Sequence, residues 1–311
     1  MRVLVTGASG YLGWATVHEL RDAGHHVVAL VHRTMRGFGP GVEVRRGDVL
    51  DENSLRNAVR EVDGVCHLAA LTRVRDAASQ PTRYFRLNTG GTLNVVDALA
   101  VESERTGRPA RMVFASTGSV YGAPERQPIS EDAPTESINP YASSKVAAEQ
   151  LIGWQVAAGV LGAAILRIFN AAGAVAGYAD PDESRILPKA VAVAAGRAPY
   201  VQVNGDGSAV RDFVHVADIA HALRLALEAT ETGHKALYNV GAVSASVRDV
   251  IAEVERVSGR TVPVVHRPAH AGEARLLAAD TTRIRSELGW KPERSTLEQL
   301  ATDQWTVAGL A

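Results

Sequence analysis

The chain has 311 residues, and its 33 Lys and Arg nearly balance its 34 Asp and Glu. Such a balance gives no long-range field for nucleic acid or an anionic membrane, and the length suits one large domain or two joined domains. The single cysteine, Cys66, excludes an intrachain disulfide framework. The longest apolar run, residues 156–166, is shorter than a membrane-spanning helix. We therefore expect a cytoplasmic protein that binds neither nucleic acid nor membrane.

Short apolar strand patterns alternate with longer helical patterns from residue 2 to about residue 170. The strand patterns are "RVLVTG", "HVVALV", "EVRRGDV", "GVCHLAA", "RMVFAS" and "AAILRIFN". Because apolar runs without alternation are typical of strands covered on both faces, we predict an α/β fold with a Rossmann-type doubly wound parallel sheet. After Asn170 the regular alternation is lost, which indicates a smaller mixed α/β C-terminal lobe.

This change of pattern predicts two domains. We expect a dinucleotide-binding domain in residues 1–170, with part of residues 205–240 packed back on it, and a substrate-binding lobe in residues 171–311. Open parallel sheets bind ligands beyond the carboxyl ends of their strands, so we expect the active site between the two lobes. The histidines show no spacing typical of metal ligands, and no metal site is expected.

The segment "TGASGYLG" places Gly7, Gly10 and Gly13 directly after the first strand and at the start of the first helix. Glycines allow a tight turn and let backbone N–H groups approach a pyrophosphate at the positive end of the helix. The same residues could serve a turn alone. Their position between an N-terminal strand and an amphipathic helix favours a dinucleotide site.

The choice of dinucleotide depends on the end of the second strand, "ALVHRT". An acid here would bind the adenosine ribose and favour NAD, but the chain has Val31, followed by His32 and Arg33. These basic side chains could contact a 2′-phosphate, so these residues allow NADP and favour it over NAD; alternatively, Arg33 simply points into solvent. Asp48 and Val49, at the end of the third strand pattern, are placed to meet the adenine edge.

The stretch "INPYASSKVAAEQL" predicts a helix that starts at Pro140 and carries Tyr141 and Lys145 on one face. Tyrosine is a poor base at neutral pH, but a nearby ammonium and a nicotinamide cation would stabilise its phenolate. Such a pair on a helix can also serve packing and solvation. Together with the glycine loop and the hydroxyl cluster of "STGSVYG", it predicts a proton acceptor beside a hydride acceptor.

With these features the chain resembles the extended short-chain dehydrogenase/reductases, in the nucleotide-sugar epimerase/dehydratase branch. The resemblance rests on "VLVTGASGYLG", "HLAA", "NTGGTLNVVDA", "STGSVYG", "YASSK", "LRIFNAAG", "VRDFVHVADIA" and "LGWKP", which extend over essentially the whole chain. It implies a homodimer and a catalytic set of Thr117, Tyr141 and Lys145, with Ser116 alongside at cofactor and substrate. The further cofactor contacts expected are Tyr11, Leu12, Leu68, Ala69, Ala70 and Asn88.

The resemblance also implies the residues that bind a nucleotide-sugar substrate. Asn170 would contact the substrate, the loop through Arg185, Ile186 and Leu187 would cover its base, and Arg211 would bind its diphosphate. A guanidinium makes bidentate, charge-assisted bonds to phosphate oxygens, although Arg211 could instead pair with its neighbour Asp212.

One segment departs from the family pattern. In "PAHAGE", His270 stands where the family usually has a second diphosphate-binding arginine, and Glu273 follows it. A neutral imidazole offers one donor where arginine offers a fork, so the hold on the diphosphate is weaker or the substrate differs.

Three functions remain open at this point. The resemblance implies a 4-epimerase of a UDP- or dTDP-hexose that oxidises C4 transiently with bound NAD. The alternative is an NADPH-dependent 4-ketoreductase of a nucleotide-linked keto sugar, and the third is a cofactor-binding protein without activity. Dehydratases of this branch carry an Asp-Glu pair directly after the catalytic threonine, where this chain has Gly118 and Ser119. Neither residue can move the protons of an elimination, so dehydration is not expected.

Overall fold

The computed structural model of the chain describes residues 1–269 and 274–309. Its strands are β1 (Arg2–Thr6), β2 (His26–Val31), β3 (Val42–Arg46), β4 (Gly64–His67), β5 (Ala110–Thr117), β6 (Leu161–Ile168), β7 (Asn170–Ala172), β8 (Ala174–Val175), β9 (Tyr178–Ala179), β10 (Val201–Asn204), β11 (Val210–His215), β12 (Lys235–Val240), β13 (Val243–Ser246), β14 (Val264–Arg267) and β15 (Leu276–Leu277).

The α-helices are α1 (Tyr11–Asp22), α2 (Glu52–Ala58), α3 (Val74–Ser79), α4 (Pro81–Tyr84), α5 (Gly91–Thr106), α6 (Pro140–Ala157), α7 (Ile186–Ala194), α8 (Val216–Ala229), α9 (Val247–Ser258), α10 (Thr282–Leu288) and α11 (Leu297–Gln304). A 3-10 turn covers Gly118–Tyr121, and π-helical turns cover Phe85–Gly90 and Trp305–Gly309. Among residues 1–269 and 274–309, none of the helices combines the length and the hydrophobicity of a membrane span.

The chain forms two compact units. The first comprises Met1–Gly122, Pro134–Ile168 and Ala220–Tyr238, and the second comprises Ala123–Ala133, Phe169–Ile219 and Asn239–Ala311. Each unit has its own apolar core.

A seven-stranded sheet in the order β12-β6-β5-β4-β1-β2-β3 forms the centre of the first unit. Strands β1 to β6 run parallel. Helices α2, α5 and α6 cover apolar side chains on one face of the sheet, and α1 also packs against β1 and β2. The predicted doubly wound parallel sheet is confirmed. Strand order reverses at β1, which lies between β2 and β4, and a ligand is expected beyond the carboxyl ends of strands at such a point.

The second unit has the mixed α/β architecture that the sequence predicts. Its largest sheet is built around β11, which pairs with β7 and β15 in parallel and with β13 antiparallel. Strands β10 and β14 form a separate parallel pair. The apolar core of this unit lies among α7, α9 and α11.

Candidate active site

The glycine motif at the junction of β1 and α1 is packed too closely for a side chain at Gly7 or Gly13. Gly7 has φ +69°, and a Cβ there would lie 2.8 Å from the backbone nitrogen of Ala69. A Cβ on Gly13 would overlap the Gly7 carbonyl oxygen. Gly10 precedes α1, and no side chain among the described residues caps that helix end. The loop therefore offers backbone N–H groups and a positive helix end, a cradle that fits a dinucleotide pyrophosphate.

The carboxyl ends of β1 and β4 are joined by a directional set of hydrogen bonds that the sequence did not reveal. The Thr6 hydroxyl accepts the N–H groups of Leu68 (3.1 Å) and Ala69 (3.2 Å), so its own proton goes to Nδ1 of His67 at 2.7 Å. Nε2 of His67 then donates to the Thr92 hydroxyl at 3.1 Å. Burial, with a smaller contribution from the Lys145 charge, lowers the pKa of His67 to about 3. The imidazole is therefore neutral, and its two hydrogen bonds connect Thr6 to Thr92 behind the glycine loop.

The residues predicted to meet the adenosine lie at the ends of β2 and β3. Nε2 of His32 lies 3.3 Å from a carboxylate oxygen of Asp48, and both side chains are partly exposed. Arg33 is exposed, while Val49 is buried. A different basic residue, Arg36, contacts the glycine loop: it donates to the Ser9 carbonyl at 3.0 Å. Nothing in the motif spacing pointed to Arg36, because the loop that carries it returns to α1 only in the fold.

The predicted catalytic residues come from β5 and α6, which pack on each other. Thr117 is the last residue of β5, and its hydroxyl accepts the Ser119 N–H at 3.2 Å, which caps the following 3-10 turn. Tyr141 lies in the first turn of α6, which begins at Pro140 as predicted because Asn139 caps it. Its ring is 7% exposed and packs edge-on against Tyr84.

Lys145 lies one turn beyond Tyr141 on the same buried face of α6. Its ammonium donates to the Ala115 carbonyl at 2.8 Å and lies 4.4 Å from the centre of the Phe114 ring. Burial lowers the pKa of Lys145 to about 7, although the Glu149 carboxylate opposes this shift. A lysine ammonium one helical turn from a tyrosine is suited to stabilise the tyrosine phenolate, and a pKa of about 7 makes that stabilisation depend on pH.

Ser116 is committed to a buried network that was not predicted. Its hydroxyl donates to Glu149, and Glu149 also forms an ion pair with Arg167 of β6, with a shortest N–O distance of 2.7 Å. Both charged side chains are less than a tenth exposed. Ser116 can therefore only accept a hydrogen bond from cofactor or substrate. Glu149 follows Lys145 by four residues, and this spacing was the available signal.

Asn88, expected near the cofactor, uses its amide within the protein. It lies in a π-helical turn and is 1% exposed. Its Oδ1 accepts the Leu71 N–H at 2.8 Å, and its Nδ2 donates to the Leu71 carbonyl (3.1 Å) and the Ser144 hydroxyl (2.9 Å). Asn88 thus ties the segment after β4 to α6, directly beside Lys145. Ala70 is part of the same segment.

Of the residues predicted to bind the substrate, Ser116 and Thr117 lie in the first unit, and Asn170, Arg185, Leu187 and Arg211 lie in the second. Asn170 is exposed at the start of β7 and donates to the Asp212 carbonyl at 2.8 Å. Arg211, on the neighbouring strand β11, donates to the carbonyls of Val210 and Ala274. The Asp212 carboxylate instead accepts backbone N–H groups, from Ala242 at 2.6 Å and Ala279 at 2.9 Å.

The other predicted substrate residues differ in accessibility. Arg185 is half-buried and pairs with the buried Asp180 at 2.9 Å. Leu187 is 2% exposed within α7. His270 and Glu273 lie outside the described residues. No group of three or more His, Cys, Asp or Glu side chains in ranges 1–269 and 274–309 could hold a metal ion.

Comparison with known proteins adds independent findings. A sequence model of the NAD dependent epimerase/dehydratase family matches residues 3–241. A UDP-glucose 4-epimerase from Streptomyces lividans is 37% identical over 98% of this chain and 95% of its own length. The crystal structure of UDP-glucose 4-epimerase from Brucella ovis in complex with NAD is 31% identical, with a TM-score of 0.91 over 99% of this chain and 98% of that one. The Bifidobacterium longum enzyme, in complex with NAD+ and UDP, is 28% identical, with a TM-score of 0.89 over 99% and 100%.

Proposed function

This chain belongs to the NAD dependent epimerase/dehydratase family, and on that premise we propose that it is a nucleotide-sugar 4-epimerase that works with bound NAD. The observation that carries the proposal is the buried face of α6, where Tyr141 and the perturbed Lys145 lie one turn apart beside the end of β5. The similar UDP-glucose 4-epimerases favour a UDP-hexose as substrate. A dTDP-hexose is the other candidate.

The residues that would hold NAD are those of the glycine loop and the strand ends beside it. Gly7 and Gly10 would face the pyrophosphate, His32 and Asp48 the adenosine, and Lys145 the nicotinamide ribose. When bound, NAD would supply the acceptor for the hydride of the sugar C4 and the donor for its transfer back to the opposite face. We assign residues 1–170 to this function and residues 171–311 to substrate binding.

The protein's own part of the reaction is proton transfer and positioning. Tyr141 takes the proton of the sugar 4-hydroxyl as a phenolate and later returns it, and the Lys145 ammonium stabilises that phenolate before the first step and after the second. Thr117, at the end of β5, positions the 4-hydroxyl of the sugar. Arg211, Arg185 and Asn170 would hold the nucleotide part, whose binding energy keeps the sugar in place.

The residues after Thr117 favour epimerisation over dehydration. Gly118 has no side chain, and Ser119 carries only a hydroxyl, so neither can act as the base or acid of an elimination. Only Tyr141 need exchange a proton with the substrate. The product is therefore expected to keep every oxygen of the substrate.

The test is to incubate the purified protein with NAD and each member of the pairs UDP-glucose/UDP-galactose and dTDP-glucose/dTDP-galactose, and to resolve the products by anion-exchange chromatography. We expect interconversion of one pair, abolished by Tyr141→Phe. The dinucleotide released on denaturation should be NAD. No interconversion of either pair would sink the proposal, and net oxidation of NADPH with a 4-keto sugar would replace it by the ketoreductase.

We also propose a homodimer formed through α5 and α6. On α5, Leu93, Asp97 and Val101 are exposed at four-residue intervals, and on the adjacent α6 Trp154 is 76% exposed. Apolar side chains in this arrangement favour helix-to-helix association.

Cys66 is buried and has no disulfide partner, which fits a reducing cytoplasm.

A further inference from the structure

Three side chains on α6 form a buried column. Tyr141, Lys145 and Glu149 follow one another at four-residue intervals, so they lie on one face of the helix. Each is less than a tenth exposed. The first two belong to the proposed reaction, whereas the resemblance and the comparisons assign no role to the third. A buried ion pair such as the one between Glu149 and Arg167 contributes little to stability, because desolvation offsets the attraction.

Glu149 and Lys145 hold consecutive residues of β5. Lys145 donates to the Ala115 carbonyl, and Glu149 accepts from the Ser116 hydroxyl. The next residue along the strand is Thr117. The column on α6 therefore fixes the two residues that immediately precede the hydroxyl expected at the sugar.

Arg167 links Glu149 to the turn that follows Thr117. It lies directly opposite Ser116 in the register of β5 and β6, so its guanidinium reaches Glu149 from the neighbouring strand. The same guanidinium lies 4.7 Å from the centre of the Tyr121 ring, in the 3-10 turn that follows Thr117. One carboxylate thus anchors both the strand end and the turn.

Glu149 is also the acidic residue nearest to Lys145 along the sequence, and it lies on the same face of α6. The ionisable groups that face the ammonium are Tyr141 and Glu149 on α6 and the neutral His67 at the end of β4, while Arg167 of β6 is paired with Glu149. The charged residues on the helical segments packed against α6 are exposed or paired with each other, and they are Arg75, Asp76, Arg83, Arg86, Asp97, Glu102, Glu104 and Arg105. Burial removes charge from Lys145, and the Glu149 carboxylate counteracts it.

We propose that Glu149 is a positioning residue: it fixes the strand end that carries Thr117, and it supplies the counter-charge that keeps Lys145 protonated beside Tyr141. The inference rests on the proposed epimerisation for its catalytic meaning. Its physical content, the charge state of Lys145, can be measured without turnover.

The chain has only four lysines, Lys145, Lys189, Lys235 and Lys291, so a lysine resonance can be followed individually. Protein enriched with carbon-13 in lysine is titrated by NMR, and the Lys145 Cε signal is assigned by its absence in a Lys145→Met variant. Glu149→Gln keeps an acceptor for Ser116 and removes the charge. We expect the Lys145 midpoint to fall by at least about one pH unit in this variant.

The same variants are then tested for epimerisation across pH. Because Lys145 must be protonated to stabilise the phenolate, a lower midpoint moves the alkaline loss of kcat to lower pH, with about tenfold less activity at about pH 8 for each unit of change. Glu102→Gln is the matched control, since Glu102 is a similarly buried carboxylate paired with Arg105 at 2.7 Å on α5. It should leave both the NMR midpoint and the pH profile unchanged.

A second variant keeps the test decisive if Glu149→Gln folds poorly. Glu149→Gln with Arg167→Met removes both charges of the pair, which commonly restores stability, and should show the same fall of the Lys145 midpoint. An unchanged midpoint in a folded Glu149→Gln or double variant would overturn the inference. If the wild type fails to epimerise any substrate but the midpoint falls as expected, the proposed function is wrong and the role of Glu149 toward Lys145 stands.

Discussion

Replacing the buried lysine of α6 should make the cofactor-free protein more stable while it abolishes activity. Burial lowers the pKa of Lys145 from 10.5 to about 7. At about pH 6 the lysine is protonated in both the folded and the unfolded state, and this shift then corresponds to a cost of about 5 kcal/mol to the fold. Lys145→Met removes the charge but leaves the Ala115 carbonyl without its donor, at about 1–3 kcal/mol. A net gain of about 3 kcal/mol is expected.

The gain should vanish as the pH rises. Between about pH 7 and pH 10 the unfolded lysine still binds a proton that the folded one has released, so the wild type gains stability relative to the variant, about 3 kcal/mol by pH 9. Urea unfolding of both proteins without NAD, at pH 6 and pH 9, measures this difference. The exposed Lys291→Met serves as the control and should show no pH-dependent gain. A variant no more stable than the wild type at pH 6 would refute the reasoning.

Three further outcomes are expected. Gly7→Ala should abolish NAD binding, measured by calorimetry. Gly24→Ala should retain NAD binding and lower stability in thermal unfolding by only about 1–2 kcal/mol of backbone strain. Both glycines have positive φ, but only Gly7 is crowded by neighbouring backbone atoms. Asn88→Ala should lower kcat for epimerisation at least about tenfold with little change in NAD affinity, because it displaces α6 rather than a ligand group. Trp154→Arg should give a monomer in light scattering, while Ile138→Arg, at a similarly exposed apolar residue, should not; a dimeric Trp154→Arg would contradict the proposed interface.

The sequence predicts well what is local along the chain. The start of α6 follows from Asn139 and Pro140, and the spacing of Tyr141 and Lys145 needs only the helical repeat. Strands such as β6, buried at every position, appear as continuous apolar runs. β3 is half exposed because it is the edge of the sheet, and a single sequence does not give strand order.

Contacts between distant residues could not be predicted. Thr6 meets His67 across 61 residues, and Asn88 meets Ser144 across 56. Both pairs depend on which strands and helices become neighbours. The motif that includes Asn88 placed it near the cofactor, but only the fold shows that its amide is used by Leu71 and Ser144. The position of Glu149, four residues after Lys145 on the same helix, could be read from the sequence. Its ion pair with Arg167 of β6 could not, because it depends on the fold.

The neutral His67 behind the glycine loop has a consequence for the response of the fold to acid. Its pKa is about 3 in the folded protein and near 6.5 in an unfolded chain, so between these values the unfolded state takes up a proton that the folded state does not. Acidification through this window therefore favours unfolding, and the buried Lys145 acts in the same direction at higher pH. Proton linkage at these two bases therefore favours unfolding of the first unit as the pH falls, and the base that responds to acid, His67, lies directly behind the cofactor cradle.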